Sequence, residues 1–354
     1  MNNEGKLKYK TMPDSFKQFF INMFKKNESF ILLFIIAFAV VTTIINPSFV
    51  SLENLFDLIK SGAGMAILAL GVFIVLLSGG IDVSFTAVAI AGQYIAVTLL
   101  VHWGIDSILM AFLISCSVGI TLGAINAFLI YRFNLPTLIT TLGTLNAFHG
   151  ALVAFVGTRA YNPGQLPECF DNLGFATIFS ISRPDGTTYG LSIYFLILIG
   201  LILLVWFILR FTLIGRGIFA LGGNREAAVR SGFNIGRIQF FIYCFVGFLA
   251  GIMGVMHVST INYSNPNSII GSELAVIGAV VIGGARITGG SGTITGTILG
   301  VVLINLLKKN LILMGVPSYW EQVIFGLIMI AAISITYYRI KRRSREKLLF
   351  VRES

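Results

Sequence analysis

Long apolar runs recur along the whole chain, and they constrain its folding more than any other feature. They fall near residues 30–46, 55–77, 86–102, 108–130, 137–157, 191–209, 239–258, 272–289, 294–316 and 319–338, divided by Gly, Pro, Asn or charge. A helix needs ~17–25 apolar residues to cross the hydrocarbon core, and inside lipid only helices and closed barrels satisfy every backbone polar group. The expectation is an all-α, polytopic membrane protein with about ten transmembrane helices. Composition agrees: 56% of residues are hydrophobic and 11% charged, against ~25% charged in a soluble domain. Fibrous, disordered and disulfide-stapled classes are excluded. The run at 272–289 is the weakest, because it opens on Glu273, carries Arg286 and is interrupted by Gly283-Gly284; re-entrant backbone is the alternative there.

The net charge of +10 would suggest nucleic acid in a soluble protein, but here its placement matters more. With the N-terminus inside and alternating spans, twenty of the 25 Lys and Arg fall on the inner side, leaving Lys60, Arg159, Arg183, Lys308 and Lys309 outside. That bias follows the positive-inside rule and puts both termini in the cytoplasm. The expected divisions are a basic cytoplasmic N-terminus at 1–29, a transmembrane domain at 30–338 and a basic cytoplasmic tail at 339–354. Within the transmembrane domain, 158–190 is an external loop and 211–238 an inner loop. No small-residue cleavage site follows the first run, so it is expected to remain as a span. No nucleic-acid partner is expected; the lipid bilayer is.

Glycines cluster at four-residue spacing within runs, as Gly119/Gly123, Gly247/Gly251 and Gly292/Gly296/Gly300. Such spacing lets helix backbones approach closely in lipid. Polar residues inside runs are costly, which draws attention to Asp82 in LLSGGIDVS (76–84) and to Glu273. Asp82 either faces protein or a water-lined path, or caps the third helix. Glu273 is either functional or an interfacial helix-start acid. As a pair they would suit a proton relay. The segment 224–232 has a capping Asn224, an acid in its first turn at Glu226, helix formers and a terminating Gly232, and it predicts a short inner helix. There Ala227 and Ala228 would offer a smooth face for insertion into a cleft.

Other chemistry finds no support. GARITGGS (284–291) approaches a phosphate-binding loop but has Gly290 where the lysine belongs, and GSGTITG (290–296) fails the dinucleotide spacing; both predict tight turns. Cys116, Cys169 and Cys244 form no C-x-x-C pair, and His102, His149 and His257 are scattered over separate runs. No metal, cofactor or catalytic residue is expected, and no nucleophile elbow is present.

Four ordered segments resemble the membrane permease of bacterial ATP-binding-cassette importers of the ribose, galactose and xylose type. They are GVFIVLLSGGIDVS (71–84), FNLPTLITTLGTLNAFHG (133–150), GRGIFALGGNREAAVRSGFNI (215–235) and ELAVIGAVVIGGARITGGSGTITGTILG (273–300). The resemblance implies a non-enzymatic permease subunit in the bacterial cytoplasmic membrane. It also implies a second permease chain, an extracytoplasmic binding protein that delivers a monosaccharide, and a separate ATPase docked on a coupling helix. The coupling segment would be Gly222, Gly223, Asn224, Glu226, Ala227, Ala228 and Gly232. Sugar hydroxyls need mostly uncharged hydrogen-bonding groups with few fixed charges, and the expected path residues are Asp82, Ser84, Gln93, Asn126, Asn146 and Glu273. The chain departs from the family pattern at Phe85-Thr86, Ser272, Ala275, His149 and Lys308-Lys309, which leaves the substrate open. Nucleoside or autoinducer-2 import is the alternative within the family, and a proton-coupled transporter the alternative outside it.

Overall fold

A computed structural model describes residues 27–182 and 188–313, with scattered positions from 315 to 334. The helices are α1 (Asn27–Ile45), α2 (Leu52–Leu77), α3 (Phe85–Trp103), α4 (Ile108–Phe133), α5 (Thr137–Ala151), α6 (Glu168–Phe175), α7 (Tyr194–Phe211), α8 (Leu213–Gly223), α9 (Arg225–Arg230), α10 (Ile235–Ile261), α11 (Glu273–Ile282) and α12 (Ile294–Leu313). A π-helical turn, Leu152–Val156, extends α5. Two strands, β1 (Thr177–Ser182) and β2 (Thr188–Ser192), pair as an antiparallel hairpin. Eight helices among the described residues are long and apolar enough to cross a membrane: α1 to α5, α7, α10 and α12.

Local chemistry sets the helix ends. Ser51, Ser107, Thr212, Asn224 and Asn234 each accept a backbone N–H with the side chain at a helix start. Gly104, Asn134 and Asn262 close α3, α4 and α10 in the left-handed conformation.

One expectation needs correction. The eighth run forms only a ten-residue helix, α11, about 15 Å long by helical rise and half the hydrocarbon thickness. Gly283 and Gly284 end it, and residues 262–272 before it are irregular. The loop at 158–190 holds α6 and β1 and reaches into β2, and the inner loop holds α8 as well as the expected α9. The tenth run lies largely outside the described residues, as do both termini.

Helices α2, α3 and α10 are apolar on nearly all sides and are the most buried; α10 packs against α2, α3 and α4. By contrast α1, α4, α5 and α7 turn large apolar side chains outward, as at Ile44, Leu109, Ile139 and Phe207, the arrangement of a bundle whose solvent is hydrocarbon. At the hairpin end, Cys169 N–H in α6 donates to Asp106 at 2.7 Å. Burial, with Asp106 beside it, pushes the Cys169 thiol up to about 12, so this cysteine stays protonated and unreactive at neutral pH.

Backbones touch where the glycine spacing predicts. A Cβ on Gly119 would collide with the Gly247 carbonyl, one on Gly247 with the Gly119 carbonyl, and one on Gly123 with the Tyr243 carbonyl, locking α4 to α10. Gly296 and Gly300 do the same for α12 against Gly283 and Ala279. Replacing Gly119 by Val must push α4 off α10, at a cost of about 1–3 kcal/mol or more, with a lower melting temperature in detergent. Gly200→Ala in α7, where a methyl meets nothing within 4 Å, is expected to leave that temperature unchanged or slightly raised.

Candidate functional site

Between α2 and α3 the chain leaves the helix inside the bundle. Gly79 takes φ +81°, and residues 80–84 then run along the first turns of α5. Ile81 N–H donates to Thr137 Oγ1 at 3.0 Å and Val83 N–H to Thr141 Oγ1 at 3.2 Å, so α5 hydroxyls replace the lost helical partners. Ser84 meets Asn126, seven residues before α4 ends, which lifts the start of α3 about 10 Å from the basic end of the bundle by helical rise.

A buried relay of hydrogen bonds holds this break. Asn126 Nδ2 donates to Ser84 Oγ at 2.7 Å, Ser84 Oγ donates to Asp82 Oδ1 at 2.7 Å, and Ser84 N–H donates to the same Oδ1 at 2.7 Å. Asp82, Ser84 and Asn126 are all at most 2% exposed. Asp82 ties the turn ahead of α3 through Ser84, and no side chain caps the first N–H groups of α3. Two residues on, Thr86 Oγ1 donates to Glu273 Oε1, which also accepts Gly271 N–H. The short α11 therefore starts where α3 starts, and the two interrupted segments meet.

The expected path residues separate into three places. Asp82, Ser84 and Asn126 are together, with Glu273 joined to them through Thr86. Gln93 lies two turns further along α3, 1% exposed, with neither amide atom partnered. Asn146 faces outward, back-bonded to Leu142 O, on the same exposed side of α5 as Gly143, Ala147 and Gly150. Sequence reasoning missed Thr86, Thr137, Thr141 and Tyr243, whose hydroxyl lies against Gly80. The i, i+4 pair Thr137/Thr141 was the visible signal, but only tertiary structure shows that those hydroxyls serve another segment.

At the basic end of the bundle, Asn224 Oδ1 accepts Ala227 N–H at 3.0 Å and Gly232 stands at φ +85°, as the capping pattern predicts for α9. Ala228 is not on the outward face: it is 2% exposed and packs inward. The face turned away from the bundle carries Arg225, Glu226, Ala227, Val229 and Arg230. An exposed Glu226–Arg230 pair at 3.9 Å contributes little stability. Arg225 Nη2 donates to Asn134 Oδ1 at the end of α4 at 3.0 Å.

Gly222, unlike Gly223, has no room for a Cβ. A Cβ there would collide with the Leu77 carbonyl and come within 2.6 Å of Gly290 N, while Gly290 N–H donates to Leu77 O at 2.9 Å. Gly289 and Gly290 have φ +88° and +76°, and Gly289 closes on Gly79 and Gly222. The glycine-rich stretch that approaches a phosphate loop is thus a tight turn. It docks the end of α8 onto the end of α2 and the entrance to α12.

The family profile described as branched-chain amino acid transport system / permease component matches residues 54–333. The ribose import permease protein RbsC of Escherichia coli (strain K12) is 28% identical over 327 residues, covering 92% of this chain and 98% of the relative. RbsC of Bacillus subtilis (strain 168) is 31% identical over 315 residues, 89% of this chain and 93% of the relative. The galactose/methyl galactoside import permease protein MglC of E. coli (strain K12) is 29% identical over 340 residues, 92% of this chain and 98% of the relative. No solved structure is significantly similar. The profile spans α2 to α12, including the break ahead of α3 and the inner segment, and on that match the chain belongs to the branched-chain amino acid transport system permease-component family.

Proposed function

We propose that this chain is the permease subunit of an ATP-binding-cassette importer in a bacterial cytoplasmic membrane, forming the path for a monosaccharide. The observation that carries this is the near full-length similarity to ribose and galactose import permeases. A binding protein delivers the sugar from outside, a separate ATPase drives the cycle from inside, and a second permease chain completes the path. The relatives do not favour a proton-coupled transporter. In addition, Asp82 and Glu273 are each taken up by a hydroxyl, from Ser84 and Thr86.

The path runs between two permease chains, along the outward face of α5. Asn146 offers an uncharged hydrogen-bonding group there, and Gly143 and Gly150 have open space beside them, room for a partner helix or a passing sugar. Asp82, Ser84 and Asn126 hold α3 in place behind that face. The ATPase docks on Arg225, Glu226, Ala227 and Val229. Displacement of that segment reaches α2 and α12 through the backbone contact of Gly222 with Leu77 and Gly290, because close-packed backbones move as a unit.

Vesicles that hold this chain with its ATPase and binding protein should accumulate labelled ribose or galactose only when ATP is supplied. Uptake driven by a proton gradient without an ATPase would overturn the proposal. Asn146→Ala should lower the uptake rate and leave the melting temperature unchanged. Asn126→Ala should instead destabilise by about 1–3 kcal/mol, since it removes the donor to the buried Ser84 oxygen; thermal unfolding separates the two. For the inner segment, Val229→Glu should reduce co-purification of the ATPase at unchanged thermal stability. Ala228→Trp should lower stability itself, because the indole has to enter the chain's own packing.

A further inference from the structure

Helix α7 carries a stripe that the described residues leave uncovered. Leu196, Ile199, Leu203 and Phe207 are exposed at spacings of three and four residues, which puts them on one helical face. The stripe runs about 17 Å along the span by helical rise. Arg210 stands seven residues after Leu203, two turns on, and so ends the same stripe with an exposed guanidinium.

Beyond Arg210 the chain bends sharply. Thr212 leaves the helix with φ −102° and ψ 156°, and its hydroxyl fixes the corner, accepting Gly215 N–H at 3.0 Å and donating to Ile208 O at 2.7 Å. A Cβ on Gly215 would strike the Ile208 carbonyl, so α8 starts hard against the last turn of α7. Its other end, Gly222, lies on Leu77 at the end of α2. Helix α8 therefore crosses the basic end of the bundle, with Gly215, Gly217, Ile218 and Leu221 buried and Leu213, Ile214 and Arg216 exposed. At the corner Trp206, Phe207 and Phe211 form an exposed aromatic group, the Phe211 ring centroid lying 5.1 Å from Trp206 and 5.6 Å from Phe207.

Two positive charges flank this group with nothing to balance them. Residues 194–223 contain Arg210 and Arg216 and no Asp or Glu. The next acid along the chain, Glu226, pairs with Arg230. Among the described residues neither guanidinium has an ion pair or a hydrogen bond.

We propose that the corner between α7 and α8 binds an anionic phospholipid, its acyl chains along the α7 stripe and its phosphate between Arg210 and Arg216. Apolar stripe, aromatic group and guanidiniums follow one another in the order of acyl chain, interface and phosphate in a lipid. A soluble partner could reach the arginines but not the stripe, which lies along the span. The guanidinium fork matches phosphate oxygens, and a zwitterionic headgroup would bring its own cation against the two arginines. The inference is independent of the transported substrate and of the ATPase contact on α9.

The chain has three tryptophans, so Trp103→Phe with Trp320→Phe leaves Trp206 as a reporter inside the site. The test is quenching of Trp206 fluorescence in phosphatidylcholine nanodiscs by graded amounts of phosphatidylglycerol or phosphatidylcholine carrying brominated acyl chains. At about fivefold per arginine near a headgroup, brominated phosphatidylglycerol should quench at a mole fraction about 25-fold lower. Arg210→Gln or Arg216→Gln should each reduce that preference about fivefold, and both together should abolish it, at unchanged melting temperature. Should the reporter variant fail to fold, native mass spectrometry of the unaltered chain should show retained phosphatidylglycerol that the double arginine substitution releases. Equal quenching by the two lipids would overturn the proposal and leave ordinary boundary lipid. Absence of quenching by either lipid would overturn it in favour of a protein surface covering α7. A preference that survives both substitutions would overturn it as well, since the charge would then lie elsewhere on the basic end.

Discussion

The hydrogen bonds that the Ile81 and Val83 amides donate to the Thr137 and Thr141 hydroxyl oxygens are the interaction on which the rest of the bundle depends. Backbone that leaves a helix among apolar side chains has no water to turn to, and each unpartnered group there costs several kcal/mol. With α5 supplying those acceptors, α3 can begin part-way up the bundle. That starting height is what lets Thr86 reach Glu273 and what makes a half-length α11 sufficient. Asn126 and Ser84 then orient Asp82, so that a buried carboxylate ties the turn and is not left isolated.

Glycine provides the second condition. Between α4 and α10 the missing side chains allow carbonyls and Cα atoms to touch, and in lipid such van der Waals contact substitutes for a hydrophobic drive that hydrocarbon cannot supply. The same residue type does something else at the basic end, where Gly79, Gly289 and Gly290 adopt positive φ. Gly222 there packs without a Cβ against Leu77 and Gly290. One set of glycines brings helices together, and the other joins three chain segments below them. A movement imposed on α8 and α9 therefore meets the ends of α2 and the approach to α12 directly, with no intervening side chain to absorb it.

Much of this architecture is legible along the chain, because span length, charge bias and capping are local properties. The apolar runs locate all eight long helices, and Asn224 with Gly232 brackets α9, since a cap needs only its own turn. Glycine spacing likewise marks α4 and α10 as helices with a closely packing face, because four residues return a helix to the same face. What periodicity cannot carry is depth. Residues 272–289 are apolar enough to suggest a span, yet α11 ends at Ile282 because the chain turns at Gly283-Gly284 against α12.

Facing is the other property that needs the assembled bundle. Asn126 and Asn146 are alike in sequence terms, each a single amide in an apolar run, but one is 1% exposed against Ser84 and the other looks outward. Ala228 was legible as a small helical residue, and only packing shows that it points inward while Val229 points out. The sequence by itself determined that the chain is a polytopic helical membrane protein, where its eight long helices lie, and which runs carry closely packing glycine faces, because these follow from composition and short-range spacing. The tertiary structure decided where α3 and α11 begin within the bundle and which polar side chains meet there, because the hydrogen bonds that hold them join residues separated by 42 to 187 positions.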